Sequence, residues 1–286
     1  MVSYSSIVNK VSDTLVRSAS TMTDDHKLAL KKAIAAEDDE NARWAMELIL
    51  QNADTAAGQL SPLCDDTGIP HLVLDIGEKQ SISGSLIDSI YEGVRQGLQL
   101  LPGRTMAVRG DDEERLDQSA GLDNDPAAVE PAPLLVRRTE GDVLKLHVLM
   151  LGGGPAIRGI TYRVFHQHSV QKVIDEIVAR ATEGTGLLGC TPGTLAIGIG
   201  RSQYEAGSLM LESLIDGNFA EQSELEREIT TRVNAGQTGA LGLGGRTTVL
   251  ATFLKIGPQR ASGVRVVSIR PCCLYEPRIA SVDLQG

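Results

Sequence analysis

Cys64 stands directly before two aspartates and a Thr-Gly turn, in SPLCDDTGIPHLVLDIG (61–77). Adjacent carboxylates repel a thiolate and raise its pKa, the wrong setting for a nucleophilic cysteine. The same grouping suits a metal or cluster ligand with a carboxylate beside it for proton transfer. The other cysteines are Cys190, in GLLGCTPGTLAIGIG, and Cys272 and Cys273, which follow VRVVSIRP. Each non-adjacent cysteine sits on a Gly- or Pro-rich junction next to a strand. Cysteine is most often a small buried hydrophobe, and no C-x-x-C or ferredoxin run is present. The loop placement points the other way. Three thiolates from three loops leave one iron of a [4Fe–4S] cluster without a protein ligand, and an open iron acts as a Lewis acid rather than an electron carrier.

Two glycine loops accompany the cysteines: LGGGPAI (151–157) and TGALGLGGRTT (238–248). Neither is a Walker A motif, because GGRTT lacks the lysine. LGLGGR is followed by a strand, which also excludes a dinucleotide fingerprint. They are either plain tight turns or places where backbone N–H groups approach a carboxylate or a cluster sulfide, as glycine alone permits sterically. His26, His71, His147, His166 and His168 show no metal spacing, and no Gly-x-Ser-x-Gly elbow occurs.

The elements that must hold these residues read as an α/β protein. Apolar residues at three-to-four spacing make residues 4–57 helical. A strand is expected at 71–76, an amphipathic helix at 81–101 and a long charged loop at 102–132. LLVRRTEGDVLKLHVLML (134–151) reads as a hairpin turning on EGD. Helices at 169–184, 204–217 and 220–236 alternate with strands at 194–200, 247–257 and 262–271. The expected organisation is a single domain over 1–286, with a helical N-terminal part (1–57) and a mixed α/β part (58–286) carrying a cluster site on loops.

The 286 residues are 42% hydrophobic and 22% charged, with a net charge of −10. No basic stripe exists to neutralise phosphates, which argues against nucleic acid. No apolar run is long enough for a membrane span, and MVSYSSIVNKVSDTL lacks the apolar core of a signal peptide. Four cysteines in a chain of this length are no disulfide scaffold, and a reducing cytoplasm is expected.

The ordered set PLCDDTG, GRTMAV, SAGLDNDPA, LGGGPA, GLLGCTPG, ALGLGGRTTVL and CCLYEPR resembles the iron–sulfur hydro-lyases of the class I fumarase and L(+)-tartrate dehydratase alpha-subunit family. The resemblance runs over roughly residues 50–280. It implies a [4Fe–4S] cluster ligated by Cys64, Cys190 and a third cysteine. Counting to Arg278 favours Cys273 over Cys272, whose side chain would face the opposite way on a strand. It further implies proton transfer by Asp66, a substrate carboxylate on Arg104, and substrate lined by the backbone of Gly153 and Gly154.

Asp65 stands where fumarases usually have a glutamine that contacts substrate, and the resemblance implies a substrate-binding place for Asp65 as well. Leu151 stands for a usual lysine, Pro155-Ala156-Ile157 for Ser-x-Asn, and Ala261 for a histidine. These departures leave the diacid open among fumarate/malate, tartrate and a substituted relative. The implied enzyme is a hydro-lyase of a small 2-hydroxy dicarboxylic acid. Because the chain stops within ten residues of Arg278, a separate beta-type subunit is expected, in a heterotetramer. Two other readings use the same residues: a non-catalytic or regulatory iron–sulfur protein, and a structural zinc site.

Overall fold

The computed structural model describes residues 3–285. Helices α1 (Tyr4–Ser20), α2 (Asp24–Ala36) and α3 (Glu40–Gln59) come first, then β1 (Ile69–Gly77), α4 (Gly84–Leu100) and α5 (Asp112–Asp117). Next are β2 (Leu135–Thr139), β3 (Leu144–Leu151), α6 (Gly153–Arg158), β4 (Ile160–Phe165) and α7 (Val170–Leu188). The order closes with β5 (Gly193–Gly200), α8 (Gln203–Asp216), α9 (Glu224–Asn234), β6 (Val249–Ile256), β7 (Val264–Cys272) and β8 (Ile279–Asp283). A helical N-terminal region followed by mixed α/β structure is the class expected from the sequence.

The chain forms two compact units. Unit 1 takes the stretch up to Met22, Ala53–Gly152 and the residues from Arg278 onward, and unit 2 takes Thr23–Asn52 and Gly153–Pro277.

Unit 1 is built on a sheet of order β2-β1-β3-β8, with β1 and β2 parallel and the other pairs antiparallel. Alternation along the strands sends Leu72, Leu74, Leu146, Val148 and Met150 to one face. There they pack on Val11 and Leu15 of α1 and Ile90 and Val94 of α4. Serine starts both helices: Ser3 Oγ accepts from Ser6 N and Ser83 Oγ from Leu86 N, satisfying donors that a helix start leaves without partners.

Unit 2 has a sheet of order β4-β7-β5-β6. β5, buried along its full length, pairs antiparallel with β7 and parallel with β6. Leu195, Ile197 and Ile199 of β5 lie in one core with Ile174 and Ile177 of α7 and Ile229 and Val233 of α9.

The hairpin expected at 134–151 does not form. β1 lies between β2 and β3 and pairs with both. Because β2 runs parallel to β1 and β3 antiparallel, the two flanking strands keep the opposed directions of a hairpin while one strand apart. Their link passes the end of β1, where Gly77 N donates to Val143 O at 2.7 Å. Asp75 of β1 faces Arg137 of β2, a charge pair that specifies this neighbour. The triple glycine also differs from a plain turn, since Gly153 and Gly154 open the short helix α6.

Candidate active site

In unit 1, three adjacent strands deliver the CDDTG loop and its surroundings from one end of the sheet. β1 starts just after Gly68, β3 ends just before Gly152 and β8 starts just after Arg278, with Ile69 opposite Leu151 and Leu149 opposite Ile279. Leu63 N donates to Ala19 O at 3.0 Å, and Thr67 N donates to Asp65 O at 2.9 Å, closing the turn. Cys64 and Asp66 are half-buried.

Arg278 organises this corner. Its side chain is 1% exposed, and Nη1 donates to the Asp66 carbonyl at 2.7 Å. Two glycines make room. A Cβ on Gly152 would stand 2.7 Å from Asp66 Oδ2 and 3.2 Å from Arg278 Nη2, and one on Gly68 would stand 2.8 Å from that same nitrogen. Gly68 also has φ +90°, a conformation that side chains rarely adopt. The backbone of Gly103 lies against Thr67, which carries the GRTMAV segment to the same loop. Next to it, Arg104 Nη1 donates to Asp65 Oδ2 at 3.1 Å.

In unit 2, the loops of Cys190 and Cys273 are tied together. Leu274 N donates to Cys190 O at 2.9 Å, and Glu276 N closes a turn onto Cys273 O at 2.9 Å. The glycine loop at 239–245 braces the same place. Thr191 Oγ1 donates to Gly239 O at 2.5 Å and Leu241 N donates to Thr191 O at 3.0 Å. Gly239 (φ +68°) meets Gly244 so closely that a Cβ would fall on the Gly244 carbonyl oxygen. Glu37, 3% exposed, holds the far end by accepting from Arg246 N at 2.8 Å.

The neighbouring cysteines 272 and 273 differ in setting. Cys272 is the last residue of β7, opposite Thr194 of β5, and is 0% exposed. Burial first, then the Glu276 charge, pushes its thiol far above the usual range. Cys273 has left the strand and begins the turn. Cys190 is exposed, and all four cysteines are free of disulfides. Arg270 and Glu276, both buried, form a two-pronged ion pair (Nε–Oε2 3.1 Å, Nη2–Oε1 3.0 Å) that closes the stretch around Cys273.

Of the residues expected from sequence, Cys64, Asp65, Asp66 and Arg104 fall in unit 1, and Cys190, Cys273, Gly153 and Gly154 in unit 2. Arg246, a further cation beside the glycine loop, is ion-paired with Asp38. Among the described residues no three His, Cys, Asp or Glu side chains group so as to hold a single metal ion.

Sequence reasoning missed a buried polar chain that crosses the sheet of unit 1. Arg137 Nε and Nη2 donate to Asp75 (2.6 and 2.9 Å), His147 Nε2 meets Asp75 Oδ2 at 3.0 Å, and His147 Nδ1 meets Ser281 Oγ at 2.7 Å. Burial works against the Asp75 charge, yet the Arg137 and His147 hydrogen bonds hold its carboxyl below the usual range. Burial depresses His147 more than Asp75 raises it. The consistent assignment is a neutral imidazole donating to ionised Asp75 and accepting from Ser281. An aspartate and a histidine inside the apolar runs HLVLDIG and LKLHVLML were the available signal.

These loops, carried on two mixed sheets, define an α/β protein with thiols and carboxylates at strand ends. The fumarate hydratase (Fumerase) family matches residues 8–282, and the chain belongs to that family. A Methanocaldococcus jannaschii protein named as an L(+)-tartrate dehydratase subunit alpha is 28% identical over 97% of this chain and 99% of its own. An Escherichia coli L(+)-tartrate dehydratase subunit alpha is 22% identical, covering 88% of this chain and 82% of its own. A Geobacillus stearothermophilus protein named as a class I fumarate hydratase is 26% identical over 82% of this chain, which spans 47% of that longer protein.

Proposed function

We propose that the protein is the alpha-type subunit of a cytoplasmic hydro-lyase that dehydrates a small 2-hydroxy dicarboxylic acid, working with a beta-type subunit in a heterotetramer. In this reading Cys64, Cys190 and Cys273 ligate a [4Fe–4S] cluster. The donor set fits: three thiols outside any disulfide, each on a loop, with no single-ion group required because each cysteine takes a separate iron. When bound, the cluster supplies a Lewis-acidic iron that makes hydroxide a better leaving group.

The chain's own residues do the rest. Arg104 holds a substrate carboxylate, and the backbone of Gly153 and Gly154 lines the substrate. Asp66 moves the proton on the carbon next to the hydroxyl-bearing one. The observation that carries the reading is the tie between the Cys190 and Cys273 loops, beside a Cys272 shut into the strand.

Anaerobic reconstitution of the two-subunit complex with iron and sulfide tests it. The wild type is expected to gain cluster absorption and to dehydrate malate or tartrate. Cys64→Ser, Cys190→Ser and Cys273→Ser are each expected to lose both properties, whereas Cys272→Ala keeps them. A wild-type complex that takes up no cluster overturns the reading, and a cluster without turnover of any diacid favours the regulatory alternative.

A further inference from the structure

The Asp65–Arg104 pair has the form of an enzyme–substrate contact made by the protein with itself. A carboxylate oxygen accepts from Arg104 Nη1 at 3.1 Å, while the two side chains remain 86% and 56% exposed. Such pairs are weak, because water screens both charges and two mobile side chains give up freedom to meet. Asp66 and Arg278 lie on the same corner, and Arg278 is buried with its guanidinium on the Asp66 carbonyl. In a protein of net charge −10, Arg104 is an exposed cation on this corner, and Asp65 already occupies it.

We infer that Asp65 is an internal competitor for Arg104, displaced when a substrate carboxylate binds. This rests on the reading of Arg104 as the carboxylate anchor. Until then Asp65 holds the guanidinium through that one hydrogen bond. On exchange, one Arg104 hydrogen bond is swapped for another, and Asp65 turns into the water that already surrounds it. No proton moves. The exchange costs affinity for every carboxylate ligand, so an anion held by Arg104 alone binds poorly. A diacid, with a second point of attachment, recovers the loss.

Asp65→Asn removes the charge while keeping the shape, and the backbone carbonyl that accepts from Thr67 N stays. The reconstituted two-subunit complex is titrated with succinate, an unreactive diacid, for the wild type, Asp65→Asn, Arg104→Gln and the double variant. Breaking an exposed pair corresponds to a factor of roughly two to five. Asp65→Asn is thus expected to bind succinate about two- to five-fold more tightly, with KM for the substrate falling by the same factor. Arg104→Gln binds weakly, and adding Asp65→Asn to it gives no further gain. Equal or weaker binding by Asp65→Asn overturns the inference, as does a gain that persists without Arg104. The two readings fail separately. Succinate titration reports the exchange even if no diacid is turned over, and turnover with a flat succinate series leaves the hydro-lyase standing and removes the competitor.

Discussion

Asp66 differs from its exposed neighbour Asp65 in being half-buried, with its carbonyl held by a buried arginine and its carboxylate against Gly152. A group fixed in this way suits a proton carrier, for which position counts before basicity. Asp66→Asn keeps the shape and removes the proton-transfer chemistry. Dehydration by the variant complex is expected to fall about 100- to 10,000-fold, with cluster absorption and melting temperature unchanged. Near-normal turnover would leave Asp66 as a turn residue. The aspartates and Arg104 were legible because they stand in short motifs beside glycine. Arg278 was only half legible. A charged side chain reads as surface in a sequence, and nothing local to CCLYEPR says that this one threads between Gly68 and Gly152, each more than a hundred residues earlier. For the cysteine pair, the sequence placed a strand before them, and the structure ends β7 at Cys272 with Cys273, also buried, at the start of the turn.

At the scale of elements, the glycine loop at 239–245 acts as a brace for the Cys190 loop. Gly239→Ala tests this. A Cβ at φ +68° that falls on the Gly244 carbonyl cannot be absorbed by a rotamer change. The expected loss is about 3 kcal/mol in denaturant unfolding, together with poorer cluster loading through the shift of Thr191. Unchanged stability would mean that the loop opens freely and braces nothing. Helices and buried strands were read well from sequence because their periodicity is local. The pairing of β1 between β2 and β3 was not, because a parallel neighbour leaves no turn signal and a four-residue link looks like a hairpin whichever strand lies between. β4 escaped notice for a related reason. It is a six-residue strand exposed along most of its length, so no apolar run marked it.

At the scale of the whole molecule, acid sensitivity has an identifiable source in unit 2. His26 of α2 is fully buried, stacks on Phe219 at 4.6 Å, and has no hydrogen-bond partner at either ring nitrogen. Burial lowers its pKa from 6.5 to about 4, against a smaller upward pull from Asp25. The unfolded chain takes up a proton below about pH 6.5 that the folded chain refuses until about pH 4. Stability from this site is therefore complete above pH 6.5 and lost between those values, on the order of 3 kcal/mol in all. His26→Phe keeps the ring stack, and the fall in melting temperature from pH 7 to pH 5 should be smaller in the variant. An identical fall would assign the sensitivity elsewhere. The threading of the chain has a further consequence, in the timing of biosynthesis. Unit 2 is complete at Pro277, while unit 1 still lacks β8 and Arg278. As the chain leaves the ribosome, β3 keeps an open edge and the Asp66 carbonyl lacks the Arg278 guanidinium until residues 278–283 emerge. A nascent chain therefore has both cysteine loops of unit 2 before its carboxylate corner is assembled.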